Sequence, residues 1–162
     1  MIALRALAPT DAVVLHGLLG DPEVARWLRP RGVTGPFTVD ECERLVSENV
    51  AHWAAHGFGP WLAFEDDVCV GRTLLKHAIV AGRAELEIGW TVARACWGRG
   101  LGTTLGRYAL AAASARGIER VVAFARVDNA GSRRVMEKVG LRYEREFTHT
   151  GLPHVLYRAP GG

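Results

Sequence analysis

Cysteine is scarce in this sequence, and its spacing excludes several classes of protein. Three cysteines, Cys42, Cys69 and Cys96, stand far apart among 162 residues. An odd number of cysteines, with no C-x-x-C pair and no Cys/His cluster, argues against a disulfide framework and against a zinc site. We therefore expect reduced thiols packed as small apolar side chains, and no metal.

Long apolar runs and a strong charge of one sign are also missing. No segment approaches the ~18 apolar residues of a membrane span, and Pro9 and Asp11 interrupt the N-terminus before the apolar core of a secretory signal could form. The net charge of +3 is too small and too scattered to indicate nucleic-acid binding. These absences predict a cytoplasmic protein with neither a membrane nor a nucleic-acid partner.

The rest of the composition, 49% hydrophobic and 23% charged, is typical of a globular chain, which we expect to form one domain over residues 1–162. Strands followed by alternating strands and helices predict an α/β or α+β fold. Apolar periodicity and turn residues place the elements. The predicted strands are 2–7, 61–65, 68–76, 84–92, 119–127, 141–148 and 154–158, and the predicted helices follow Asp11 and span 22–28, 38–56, 102–115 and 130–139.

The segment CWGRGLGTTLGRY, residues 96–108, contains four glycines at the start of a predicted helix. Each glycine inside a helix costs roughly 1 kcal/mol relative to alanine. Glycines between a strand and a helix let successive backbone N–H groups converge on an anion. The segment lacks the lysine of a phosphate-binding P-loop, and its G-x-G-x-G spacing differs from the G-x-G-x-x-G of dinucleotide sites.

The sequence Trp97-Gly98-Arg99-Gly100-Leu101-Gly102 resembles the pyrophosphate-binding signature of the GNAT superfamily of acyl-CoA N-acyltransferases. Tryptophan at its first position differs from the family's usual glutamine or arginine and is similar to the branch of RimJ/RimL ribosomal-protein N-terminal acetyltransferases. Three further segments resemble this branch in the same order, namely LLGDPEVARWL (18–28), ELEIGWTV (85–92) and DNAGSRRVMEKVGLRYE (128–144).

This resemblance implies the GNAT fold, a single mixed and mostly antiparallel sheet of six to seven strands flanked by about four helices. It also implies acetyl-CoA as cosubstrate and direct transfer of its acetyl group to a primary amine. Backbone groups of Trp90, Thr91 and Val92 would pair with the pantetheine arm like an added strand. The other implied coenzyme-binding residues are Trp97, Gly98, Arg99, Gly100, Leu101, Gly102, Thr103, Asn129 and Ser132.

The chemistry requires a deprotonated amine and a stabilised leaving thiolate. Many relatives carry a tyrosine as the acid where this chain has Met136, so the resemblance leaves Ser132 to steady the thiolate. Glu87 lies on one face of its strand with Glu85 and is the candidate base, acting through water. A solvent-facing carboxylate or the partner of an arginine is the alternative for Glu87.

The acceptor is not fixed by the sequence, because acceptor loops vary independently of the coenzyme site. A protein N-terminus is the first candidate, and an amino-sugar antibiotic, a polyamine or an amino acid stay open. Met136 also leaves open a non-catalytic module that senses CoA. His77 or His154 could line the acceptor cleft. Trp27 and Trp53 are expected in the core, with the edge of the acceptor pocket as the alternative for Trp27, and the resemblance leaves a homodimer open.

Overall fold

One seven-stranded sheet organises the protein in a computed structural model, which describes residues 1–161. The strands follow the order β1-β2-β3-β4-β5-β7-β6, and only β4 and β5 are parallel neighbours. The predicted mixed, mostly antiparallel α/β fold is confirmed. The strands are β1 (Ala3–Ala6), β2 (Pro60–Glu65), β3 (Val68–Val80), β4 (Arg83–Val92), β5 (Val122–Arg126), β6 (Arg142–His149) and β7 (Leu152–Arg158).

Five α-helices pack against the sheet within the described part of the chain, whereas the resemblance implies about four. The additional helix is α2, which has only four residues. A 3-10 turn over Arg94–Cys96 joins β4 to the glycine segment. Within residues 1–161, no helix is both long and apolar enough to cross a bilayer. The helices are α1 (Ala12–Leu19), α2 (Pro22–Ala25), α3 (Val39–His56), α4 (Leu101–Ser114) and α5 (Ala130–Lys138).

Helix α3 begins at a capping box, as its sequence predicts. Glu41 N–H donates to Thr38 Oγ1, and Thr38 N–H donates to a Glu41 carboxylate oxygen, each over 3.1 Å. The buried guanidinium of Arg29 binds the same carboxylate, and this contact lowers the pKa of Glu41 to about 2. Arg29 also donates to the Gly35 and Pro36 carbonyls, so the loop before α3 is fastened to the helix start.

The helices α4 and α5 cover one face of the sheet, α1 and the first half of α3 pack on the other, and the end of α3 reaches the first face. Ile88 of β4 is buried against Ala109 of α4 and Met136 of α5 in the first layer. Leu62 of β2 packs with Leu15 and Val46 in the second. Because side chains alternate along β4, Trp90 lies on the α4/α5 face with Ile88, and Glu87 lies on the opposite face.

The β3–β4 hairpin is longer than predicted, because β3 continues to Val80 rather than ending near residue 76. Its two-residue turn has positive φ at both positions, 51° at Ala81 and 77° at Gly82. Such a turn matches the twist of the two strands and lets pairing continue to Val80 and Arg83. The extension brings His77 into the sheet.

Three histidines lie together where the end of α3 meets β3. The ring centroids of His56 and His77 are 4.3 Å apart, and those of His52 and His56 are 4.5 Å apart. His52 uses both ring nitrogens, because Nε2 accepts from the His77 N–H and Nδ1 lies 2.8 Å from the Phe58 carbonyl. His52 is therefore a neutral, structural histidine, and burial lowers its pKa.

Candidate active site

The start of α4 presents a row of unpaired backbone donors. Gly100 is the N-cap with φ 77°, and the first helical hydrogen bond runs from Thr104 N–H to the Gly100 carbonyl over 3.2 Å. The N–H groups of residues 98–103 make no hydrogen bond within residues 1–161. Six free donors at the positive end of a 14-residue helix are suited to bind an anion such as pyrophosphate.

The four positions of this segment require glycine for two different structural reasons. Gly98 and Gly100 both have φ 77° with open space around them, so they are required by the backbone conformation. A Cβ at Gly102 would lie 3.0 Å from Val135 Cγ2, and one at Gly106 would lie 3.1 Å from Val139 Cγ1. The first two glycines shape the anion loop, whereas the last two let α4 approach α5.

Strands β4 and β5 separate beyond a single paired position, Glu87 with Val122. Ala93 N–H donates to the Val70 carbonyl on β3. Because the direction of backbone groups alternates along a strand, those of Thr91 face β3 and those of Trp90 and Val92 face the gap. The gap therefore offers strand edges that an extended ligand can pair with.

Not every residue of the predicted backbone site faces this gap. Thr91 has its backbone groups on the β3 side, and its Oγ1 accepts from Arg72 Nε over 3.4 Å. The Val92 carbonyl already accepts from the indole N–H of Trp97 over 2.9 Å. The backbone groups of Trp90 and the N–H of Val92 are therefore the ones on β4 that stay free to pair with a ligand. Which groups face the gap depends on the strand register and could not be read from the sequence.

Arg99 lies at the surface of the anion loop but is already paired. Its guanidinium donates to both carboxylate oxygens of Glu65 at the end of β2, each over 2.9 Å. This contact partly neutralises the charge that Arg99 would bring to a bound pyrophosphate. Leu101 is buried beneath the loop, and Thr103 lies in the first turn of α4.

Asn129 and Ser132 stand together at the start of α5, across the gap from the end of β4. The Asn129 side-chain oxygen accepts from Ser132 N–H over 3.1 Å, so Asn129 is the N-cap of α5. The Ser132 hydroxyl makes no hydrogen bond within the described residues, and its side chain is half-buried. Met136, one turn further, is fully buried in the α5 core layer rather than at the gap.

Glu87 is a half-buried carboxylate at the point where β4 and β5 separate. It makes no ion pair among residues 1–161, although Lys76 stands opposite it on β3 and Arg72 lies on the same face. Burial raises the pKa of Glu87 above its ordinary value, and the charges of Lys76 and Arg72 only partly oppose that shift. An unpaired carboxylate with a raised pKa can accept a proton near neutral pH.

The face that carries Glu87 continues into an aromatic floor on β5, β6 and β7. Phe124, Phe147, His149 and His154 pack with ring centroids 4.6–6.0 Å apart. His154, one of the two histidines predicted near the acceptor cleft, is buried in this floor, and burial lowers its pKa. His77, the other histidine predicted there, lies instead beside His52 and His56 at the end of α3.

The two tryptophans that the sequence placed in the core have different surroundings. Trp53 packs against the α4/α5 core layer and donates to the Pro60 carbonyl over 2.8 Å. Trp27 is only half-buried, and the guanidiniums of Arg26 and Arg126 lie 4.6 and 5.3 Å from its ring centroids. The core assignment of Trp27 is therefore wrong, because the helix α2 ends at Ala25 and turns the ring toward β5.

Comparison with known proteins agrees with this architecture. The curated protein YkkB of Bacillus subtilis, described as uncharacterized, is 28% identical over 162 residues, which cover 96% of this chain and 90% of that protein. RimL, a ribosomal L7/L12 alpha-N-protein acetyltransferase solved with coenzyme A, has a similar fold with a TM-score of 0.76, 22% identity and coverage of 97% and 92%. The aminoglycoside acetyltransferase AAC(6')-Ib, solved with ribostamycin and coenzyme A, gives a TM-score of 0.78, 18% identity and coverage of 98% and 92%.

The family assignment rests on the sequence rather than on these distant structures. The model of the acetyltransferase (GNAT) domain matches residues 2–142, which include the glycine loop, the separated strands and the start of α5. By that match, the chain belongs to the GNAT acetyltransferase family and is an N-acetyltransferase.

Proposed function

We propose that residues 1–162 form one cytoplasmic domain that transfers the acetyl group of acetyl-CoA directly to a primary amine. The observation that carries this proposal is the row of six free N–H groups over 98–103 beside the gap between β4 and β5. The row fits a pyrophosphate, and the gap fits an extended arm that leads from it toward the centre of the sheet.

Two side chains divide the proton chemistry in this proposal. Glu87 accepts the proton of the acceptor amine, directly or through water, because its carboxylate is unpaired and its pKa is raised by burial. The free hydroxyl of Ser132, at the start of α5 with Asn129, donates a hydrogen bond that steadies the departing thiolate. Met136 carries no proton and only packs in the core.

The acceptor proposed first is a protein N-terminus, as in the RimL-like branch. RimL is described as acting on ribosomal L7/L12, whereas AAC(6')-Ib was solved with an antibiotic, and both have this fold. A small amine therefore stays as the second candidate. A non-catalytic CoA sensor is the alternative from a different class, and it would bind CoA and acetyl-CoA equally and acetylate no amine acceptor.

Ligand-dependent melting tests the coenzyme site. Acetyl-CoA or CoA at a hundred times its dissociation constant should stabilise the fold by about 2.7 kcal/mol, or roughly 5–11 °C for a chain of this size. ATP and NAD, which lack the pantetheine arm that the gap would hold, should give no comparable shift. An equal or larger shift with ATP or NAD would contradict the proposal.

Thiol release then tests the role of Ser132. Ser132→Ala should lower kcat roughly tenfold with little change in the KM for acetyl-CoA, because a hydrogen bond to the departing sulfur matters only as charge develops there. Ser114→Ala, at the exposed end of α4, is the matched control and should leave kcat unchanged. Equal kcat in both variants would remove Ser132 from the chemistry.

A further inference from the structure

A cavity lined by arginines lies at the end of β5, on the face of the sheet that carries Glu87. It encloses about 270 Å³ between the loop 29–35, the end of β5 and the start of β7. Arg26, Arg29, Arg31 and Arg126 line it, and no Asp or Glu contributes to its wall. The loop is held in place because Arg31 N–H donates to the Thr150 carbonyl over 2.9 Å.

The charge of these arginines is only partly compensated. Arg29 is buried and neutralised by Glu41, so it serves the loop rather than a ligand. Arg126 pairs with exposed Asp128 at 3.0 Å, and Arg26 lies 3.6 Å from exposed Glu23. Both carboxylates are solvent-exposed, so water screens these pairs and leaves the arginines able to bind another anion.

Arg31 contributes a charge that no carboxylate of the described chain compensates. It is exposed and makes no ion pair within residues 1–161. Its backbone is fixed against the β6–β7 turn, while its side chain lines the cavity. A second exposed arginine without an ion pair in the same residues, Arg44 on α3, lies outside the cavity wall and offers a comparison.

Trp27 holds two of the like charges close to each other. The guanidiniums of Arg26 and Arg126 both lie over its rings, and Arg126 also donates to the Arg26 carbonyl over 3.1 Å. Two cations arranged around one aromatic side chain repel each other, and an anion bound between them relieves that repulsion. The arrangement is therefore suited to a carboxylate or a phosphate.

Arg126 connects this cavity to the reacting centre. It is the last residue of β5, whose edge borders the gap, and its carbonyl accepts from Asn129 N–H over 2.9 Å. Val122, Phe124 and Arg126 lie on one face of β5, the face that Glu87 shares through its pairing with Val122. A ligand that crosses this face from Glu87 along β5 reaches the arginines.

We propose that the acceptor amine carries an anionic group, a carboxylate or a phosphate, which the cavity of Arg26, Arg31 and Arg126 binds while the amine lies near Glu87. This inference rests on the proposed function and narrows its substrate class. Polycationic amines such as polyamines and amino-sugar antibiotics are poor acceptors for such a site, because they meet like charge there. An N-terminus followed by acidic residues is a good one.

Charge reversal at Arg31 tests this inference with matched acceptors. The probes are the peptide amides Ser-Glu-Glu, which is acidic, and Ser-Gln-Gln, which is neutral. A third peptide amide, Ser-phosphoserine-Gln, shows whether the site accepts a phosphate as well as a carboxylate. Arg31→Glu should lower kcat/KM for the acidic peptides about tenfold and leave that for Ser-Gln-Gln and the KM for acetyl-CoA unchanged. Arg44→Glu, with the same change in net charge, should leave all of them near wild type.

A binding experiment keeps the inference testable without catalysis. N-acetylated Ser-Glu-Glu amide should bind the CoA-saturated protein about tenfold more tightly than the Gln peptide, measured by calorimetry, and Arg31→Glu should remove the difference. Equal binding of the two peptides, or equal losses in Arg31→Glu and Arg44→Glu, would overturn the anion site alone. Binding without acetyl transfer to any amine would contradict the proposed function and, with it, the acceptor assignment.

Discussion

Replacing Glu87 with glutamine is expected to lower kcat at pH 7 by about 100-fold or more, the usual contribution of a positioned general base. Glutamine keeps the size and hydrogen bonding of the side chain but cannot accept the proton of the amine. The carboxylate lies where β4 and β5 separate and makes no ion pair within residues 1–161. Measurement of CoA release at saturating acetyl-CoA, over a range of acceptor concentrations, gives the effect on kcat.

The pH dependence of the same variant makes this prediction specific. A base works only when ionised, so wild-type activity should fall as the pH drops through the pKa of Glu87, which burial raises above the ordinary glutamate value. Glu87→Gln should lose this acidic limb. Glu85→Gln is the control, because Glu85 lies on the same strand face but is bound to Arg158. A kcat within threefold of wild type in Glu87→Gln would exclude it as the base.

The second large effect is expected on stability, from Gly106→Val. A Cβ at Gly106 would stand 3.1 Å from Val139 Cγ1 and 3.3 Å from the Trp90 ring, and the two extra methyls require α4 and α5 to separate. Overpacking of this kind costs about 1–3 kcal/mol of unfolding free energy. Urea denaturation of the variant should show a lower midpoint with an unchanged slope.

A matched glycine provides the control for this experiment. Gly17 is exposed on α1 and has no neighbouring atom within 4 Å of an added Cβ. Gly17→Val should therefore change the stability by less than about 0.5 kcal/mol, since valine and glycine differ little in helix propensity. Equal losses at the two positions would mean that the close approach of α4 to α5 does not determine the stability.

The elements of the fold could be predicted because each depends on local signals. The capping box at Thr38 and the glycines at 117 and 140 mark helix ends within one to three residues of the observed positions. The order of strands, with β7 between β5 and β6, could not be read from local patterns, because strand pairing joins residues that are distant in sequence. Strand β3 continues beyond the predicted end at residue 76, because the turn at Ala81 and Gly82 lets its pairing with β4 run to Val80 and Arg83.

The candidate site was less predictable, because its features depend on pairs of residues that are distant in sequence. The pairing of Arg99 with Glu65 and the stacking of Arg126 on Trp27 both join residues over 30 positions apart. The direction of the Thr91 backbone depends on the register of β4 against β3. The predicted roles of Glu87, Ser132 and Asn129 remain predictions, now with defined surroundings.

The indole of Trp97, which its hydrogen bond to the Val92 carbonyl holds in place, is an intrinsic fluorescence probe. The indole is 45% exposed and lies between the anion loop and the free edge of β4, so a ligand that occupies both would change its solvation. Its emission should then shift during binding and allow association to be followed in a stopped-flow instrument, with Trp97→Phe reporting the background from the other four tryptophans. Coenzyme exchange can thus be timed without a label.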